Sequence, residues 1–231
     1  MANYLVIAAS STIGQKLVAE LRQQGHSVLT TARDNSKITP DFILDATDFN
    51  AVDKVFTESG QLDGVVNCSG SLLLKPAHLT NSTQYDQVIA SSLTTAFATV
   101  RSAGNYMRAG GSVVLISSAA AITGISNHEA IAAAKAGIIG LMRSAAATYG
   151  PINLRFNAIA PGLVDTSLTQ NITKNSDSLK FSLSMHALKR IGTPEEISRL
   201  IAFLLDPANS WITGQVIGID GGLAHLKARN S

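Results

Sequence analysis

The sequence predicts a single α/β domain built on a doubly wound parallel sheet, and three observations predict it. Short, continuously apolar runs alternate with amphipathic stretches along the chain. The runs lack the polar-out alternation of a half-exposed sheet, as expected for strands covered on both faces. With 231 residues, 45% hydrophobic and 15% charged, the chain can bury one sizeable core and is too apolar for disorder.

Taken in order, the strand candidates are residues 4–8, 27–31, 41–44, 65–68, 112–116, 154–159 and 216–219. Helical patterns occupy 13–24, 49–58, 84–108, 128–148 and 194–205 between them. Such strand–helix alternation is the signature of a doubly wound sheet. No repeat, charged block or low-complexity linker interrupts it. Segment 167–191 is the least regular, and it comes late in the chain, where this fold places a loop over its ligand crevice.

The net charge of +2 gives no support for nucleic acid or an acidic membrane as partner. The only cysteine is Cys68, so no internal disulfide forms and a reducing compartment is expected. Met1 to Tyr4 carries no basic residue, and the apolar run after it is short for a signal peptide. No stretch reads as the roughly 18 apolar residues of a membrane span. A cytoplasmic protein is expected.

The first strand runs into Ala8-Ala9-Ser10-Ser11-Thr12-Ile13-Gly14. A dinucleotide site needs a tight turn here, with backbone N–H groups and a helix N-terminus facing the pyrophosphate. Gly14 is retained for close helix packing. Ala8 and Thr12 stand where the usual fingerprint has its other glycines. Thr12 and Gln15 also fit a capping box, with Thr12 as the N-cap.

Further motifs follow in order. They are Asn67-Cys68-Ser69-Gly70 after the fourth strand, Ser117-Ser118 after the fifth, and Ala134-Lys135-Ala136-Gly137 within a helix. Beyond them come Pro161-Gly162-Leu163-Val164-Asp165-Thr166, Gly192-Thr193-Pro194-Glu195-Glu196 and Asp220-Gly221-Gly222. This ordered set resembles the short-chain dehydrogenase/reductase family over nearly the whole chain. The resemblance implies a Rossmann-type fold and a nicotinamide dinucleotide cofactor. It implies cofactor contacts from Ser10, Ser11, Thr12, Ile13, Gly14, Asn67, Ser69, Gly70, Lys135, Pro161, Gly162, Val164 and Thr166. Asp45 and Ala46 resemble the residues that meet the adenine. Ala32 occupies the place where NAD-type members carry an acid, and Arg33 follows. A guanidinium there suits a 2′-phosphate, so NADP(H) is expected; the alternative is a surface arginine paired with Asp34.

The resemblance also implies a catalytic set of Asn, Ser, Tyr and Lys, and here the chain departs. Ser118 lies seventeen residues before Lys135, at the family's spacing. The Tyr position, four before the lysine, is Ile131, and the Asn position is Ser92. Isoleucine donates no proton. His128, seven residues before Lys135, stands where the enoyl reductase branch carries its tyrosine. It is the candidate donor, against the plainer role of starting a helix.

Three readings follow. The chain is an NADP(H)-dependent oxidoreductase, reducing a carbonyl or activated enoyl compound with an atypical proton donor. Alternatively it binds cofactor without turnover, as a sensor or a partner of another enzyme. Compatible with either, helix 130–148 packs against a second copy in a homodimer or homotetramer through Ala133, Ala136, Gly137, Gly140 and Ala147. Segment 167–191 is rich in Leu, Ile, Phe and Met and suits an apolar or acyl substrate. The histidines show no metal-ligand spacing, and no metal is expected.

Overall fold

The computed structural model describes residues 1–227. Its strands are β1 (Asn3–Ile7), β2 (Ser27–Ala32), β3 (Phe42–Ile43), β4 (Gly64–Asn67), β5 (Gly111–Ile116), β6 (Leu154–Pro161) and β7 (Val216–Ile219). They form one sheet in the order β3-β2-β1-β4-β5-β6-β7, every pair parallel. The single doubly wound α/β domain expected from the sequence is therefore observed. The order reverses between β1 and β4. Sheets of this kind bind their ligands in the crevice beyond the strand C-termini at that switch point.

The helices are α1 (Thr12–Gln23), α2 (Phe49–Glu58), α3 (Ser82–Ile89), α4 (Thr95–Tyr106), α5 (Glu129–Tyr149), α6 (Gln170–Thr173), α7 (Ser176–Met185) and α8 (Pro194–Leu205). Each sheet face carries its own core. Leu5, Val65, Val113 and Phe156 point toward the layer of α2, α4 and α5. Val6, Val66, Val114 and Ile159 point toward α1 and α8. The alternation within each strand explains the apolar runs: neighbouring side chains enter different cores. All eight residues of β6 are buried.

Three elements differ from the sequence reading. The pattern over 84–108 is not one helix: a π-turn at Ala90–Thr94 separates α3 from α4. The hydroxyls cause this. Ser91 Oγ donates to the Gln87 carbonyl at 2.7 Å, and Thr95 Oγ1 donates to the Ser91 and Ser92 carbonyls at 3.1 Å. Such back-bonding competes with the helical ladder and bends it. Strand β3 has two residues rather than four, because the Asp41 carboxylate accepts the Thr30 N–H at 2.8 Å and occupies a ladder position. Finally, α5 is long and apolar enough to cross a membrane by length and composition. In the fold it is an inner helix whose Ile138 and Met142 enter the core beside β6.

Candidate active site

The β1–α1 turn begins with strain. Ala8 has φ 57°, the left-handed region that glycine tolerates and alanine resists. Gly14 is required sterically, because a Cβ there would lie 2.8 Å from the Ala9 Cα and 2.9 Å from the Ala9 carbonyl oxygen. The helix cap is one residue earlier than expected. Ser11, not Thr12, is the N-cap, and its Oγ accepts the Gly14 N–H at 3.1 Å. The register shifts because Gly14 now holds the third helical position, and Gln15 instead donates to the Ser10 carbonyl at 3.0 Å. Thr12 is thus free to reach across the crevice. Its Oγ1 accepts the Ser167 N–H at 3.2 Å and lies 3.2 Å from Ser167 Oγ. The Thr12 and Ile13 N–H groups have no acceptor among the described residues. These are orphan donors at a helix N-terminus, aimed where an anion would sit.

Arg33 is the first residue past β2 and is exposed. It does not pair with Asp34, whose carboxylate instead accepts from the Ser36 N–H at 2.9 Å and from the Ser36 hydroxyl. Among the described residues no ion pair engages Arg33. Asp45 closes a small turn, accepting the Thr47 N–H at 3.0 Å and hydroxyl at 2.8 Å through one oxygen. Those bonds lower its pKa, and the nearby Arg33 adds to the effect. Ala46 is buried beside it.

At the end of β4, Asn67 is buried. It donates through Nδ2 to Thr99 Oγ1 at 2.9 Å and accepts the Ser69 N–H at 2.8 Å. This turn brings Gly70 over Lys135: a Cβ on Gly70 would lie 3.3 Å from Lys135 Nζ. Lys135 is 6% exposed, and its Nζ donates to the Ile116 carbonyl at 2.7 Å. Burial of the ammonium pulls its pKa down to about 8. Cys68, also buried nearby, is pushed up to about 12 by desolvation, against the opposing pull of Ser11 and Lys135. Ser117 Oγ ties β5 to α5 by donating to the Lys135 carbonyl at 2.9 Å. Ser118 begins the next short turn, where its Oγ accepts the Ala120 N–H at 3.2 Å. Its two lone pairs and hydroxyl hydrogen leave capacity for a further partner.

The departures from the catalytic pattern have definite surroundings. Ile131 is 4% exposed, in an apolar cluster with Val88, Ala130 and Ala134, flanked by Leu73 and Ile89. Ser92 lies inside the π-turn, buried, with an Oγ that has no hydrogen-bond partner among the described residues. His128 is the N-cap residue, not the first turn, so α5 starts one residue later than expected. Its ring is half-buried, with Nδ1 donating to the Ser126 carbonyl at 2.8 Å.

Segment 167–191 is more ordered than its sequence suggests, containing a 3₁₀ turn (Ser167–Thr169), α6 and α7. None of its large apolar side chains is buried; Leu168, Phe181 and Leu188 are exposed. It leaves the loop after β6, where Pro161 and Val164 are buried, Gly162 is half-buried, and Thr166 and Thr169 exchange backbone and hydroxyl bonds. Sequence reasoning missed His186 at the end of α7. It is 1% exposed and accepts the Leu163 N–H through Nε2 at 3.3 Å. A lone histidine in an apolar lid carries no local signal of such a contact.

Of the small residues proposed as an intersubunit face of α5, Ala133, Ala136, Gly140 and Ala147 are exposed. Gly137 belongs elsewhere: a Cβ there would meet Leu93 of the same chain at 2.9 Å. A cleft of about 1120 Å³ lies at the opposite end of the sheet among Tyr4, Asp63, Gly111, Arg155 and Trp211. It includes none of the site residues above.

Residues 7–224 match the family model described as enoyl-(acyl carrier protein) reductase. A tropinone reductase homologue of Arabidopsis thaliana is 32% identical over 94% of this chain and 90% of its own. The 3-oxoacyl-(acyl-carrier-protein) reductase MabA of Mycobacterium tuberculosis is 33% identical over 95% of this chain and 91% of its own. Among solved structures, ElxO with NADP bound superposes with a TM-score of 0.89 at 26% identity, covering 98% of this chain and 100% of that one.

Proposed function

Because the chain belongs to the short-chain dehydrogenase/reductase family, we propose that it is an NADP(H)-dependent oxidoreductase that reduces a carbonyl or activated enoyl substrate. The observation that carries this reading is Lys135, a buried ammonium held beside Gly70 at the ligand crevice. A lysine is costly to bury without partners, and ribose hydroxyls would provide them.

The crevice fits the cofactor. The orphan Thr12 and Ile13 N–H groups suit the pyrophosphate, with Ser10, Ser11 and Gly14 shaping the turn. Unpaired Arg33 suits a 2′-phosphate, and Asp45 retains an oxygen for the adenine amine next to Ala46. Asn67, Ser69 and Gly70 form one wall, and Pro161, Gly162, Val164 and Thr166 the other. When bound, NADPH supplies the hydride. Ser118 donates a hydrogen bond to the substrate oxygen and orients it. The proton comes from His128: in its charged form Nδ1 stays on the Ser126 carbonyl, and the Nε2 proton is the one delivered. The half-exposed apolar lid favours an acyl chain, and the named activity of the mycobacterial relative makes 3-oxoacyl thioesters the first substrates to try.

One observation favours a second reading, cofactor binding without turnover. The position of the missing tyrosine is filled by an apolar cluster around Ile131 that offers no proton donor. The deciding experiment measures NADPH binding by titration and NADPH oxidation with 3-oxoacyl thioesters and enoyl thioesters. Oxidation that falls about 10²-fold in His128→Ala supports the enzyme as described. Tight binding with no oxidation supports the second reading, and failure to bind either cofactor overturns both. We place the protein in the cytoplasm and expect a homodimer or homotetramer through the exposed small face of α5, tested by light scattering at micromolar concentration.

A further inference from the structure

Two threads tie the lid to the crevice. At its start, Ser167 is bonded to Thr12 of the β1–α1 turn. At its end, His186 follows α7 and enters the core of the loop after β6. Its Nδ1 donates to the Ser182 carbonyl at 2.7 Å, one turn back in α7. Its Nε2 accepts the Leu163 N–H at 3.3 Å. The two bonds together specify a neutral ring with its hydrogen on Nδ1.

The ring has little freedom to do anything else. A Cβ on Gly162 would lie 2.8 Å from Nε2, and a Cβ on Gly221 would lie 3.4 Å from Cδ2. The loop folds over the imidazole because Gly162 lacks a side chain; a Cβ on Gly221 would only touch the ring. The Leu163 backbone is held at its carbonyl too, which accepts the Gly192 N–H at 2.8 Å. His186 therefore completes the clamp on Leu163, the one residue between Gly162 and Val164, two residues assigned above to the cofactor.

We propose that His186 is a positioning residue for the cofactor: by accepting the Leu163 N–H it holds the Pro161–Gly162–Leu163–Val164 turn in its binding shape and makes the lid and that turn move as one body. The proposal rests on the cofactor reading above. The lid's far end is fastened to the pyrophosphate turn, so one strap links the two walls of the crevice. Loss of the Leu163 acceptor leaves a half-buried N–H unpaired and frees the turn.

Two conservative variants separate this role from simple packing. In His186→Gln the amide oxygen reaches the place of Nε2 and preserves an acceptor for Leu163. In His186→Asn the amide reaches only the place of Nδ1, so the Ser182 bond survives and the Leu163 bond does not. NADPH affinity is expected to fall about tenfold in His186→Asn, the cost of one unpaired half-buried N–H, and to stay within about threefold in His186→Gln. With substrate, the loss appears in the cofactor KM and not in kcat. In cofactor-free protein, hydrogen exchange at the Leu163 amide is expected to accelerate in Asn and not in Gln. Equal behaviour of the two variants, or an Asn variant that binds like wild type, overturns the proposal. If Asn does not fold, Gln alone decides, and a tenfold loss of NADPH affinity in it is the overturning result. A wild type that binds no cofactor would sink the functional reading instead; the exchange contrast would still judge the clasp, and uniform exchange would reject it.

Discussion

Replacing Lys135 by methionine should make the cofactor-free protein more stable while abolishing its cofactor site. Burial pulls the lysine from its ordinary 10.5 to about 8. That gap penalises the ammonium by about 3 kcal/mol in the folded state at neutral pH. Methionine is similar in length, carries no charge and suits the apolar surroundings. Against this, the Ile116 carbonyl loses its 2.7 Å donor, a cost of about 1 kcal/mol. The expected net gain is about 2 kcal/mol at pH 7, which for a domain of this size raises Tm by about 4–8 °C. The sign with pH is definite. Because the folded pKa is depressed, the unfolded chain binds more protons between about 8 and 10.5. Wild-type stability therefore gains a rising contribution across that window. The methionine variant lacks it, so its advantage is full below about pH 8 and disappears toward 10.5. Urea unfolding of both proteins at pH 7 and pH 10 measures the difference directly, and shared titrations cancel. A methionine variant less stable at pH 7, or a gap that persists at pH 10, would refute the reasoning.

Arg33→Ala should weaken NADPH binding by about tenfold or more and leave NADH unaffected, since only the 2′-phosphate needs the guanidinium; equal losses for both cofactors count against the assignment. Ala8→Gly relieves the φ of 57°; against the added freedom of glycine when unfolded, the net effect should be a gain of about 0.5–1 kcal/mol, read as a raised urea midpoint. Ile131→Tyr should raise turnover of simple ketones, because the phenol would sit one helical turn from Lys135. Overpacking the Val88 cluster costs about 1–3 kcal/mol, so the rate comparison belongs at a temperature where circular dichroism shows the variant folded. Ketone turnover indifferent to this change would show that the missing tyrosine is not what limits the rate.

The sheet was legible because its strands are buried on both sides. Val65 and Val66 face opposite cores, so periodicity collapses into an apolar run that reads plainly. Gly14 was legible for a similar reason, as a steric demand expressed in one residue type. What escaped the sequence were features set by side-chain hydrogen bonds. Thr12 looked like the helix cap because Gln15 stands three residues on, yet Ser11, an equally good cap type, takes the place one step earlier with Gly14 rather than Gln15 at its third position. The π-turn at Ala90–Thr94 is written in serine and threonine hydroxyls, which periodicity ignores. Gly137 looked like a surface residue of α5 until Leu93 was found against it. His186 lies 23 residues from its partner Leu163, a separation no local pattern bridges. The lid helices were hidden because their large apolar residues stay half-buried or exposed and form no core stripe.

The lone thiol has a practical meaning of its own. Cys68 is held near the floor of the crevice with a pKa of about 12, so at pH 7 only about one molecule in 10⁵ carries the thiolate that alkylating reagents attack. Air and mild oxidants leave such a sulfur alone. Labelling by iodoacetamide must therefore wait for the crevice wall to open and restore an ordinary thiol. The rate of that labelling is a clock for local opening, with no other cysteine to blur it. Anything that closes the crevice should slow the clock, even a molecule that never reacts.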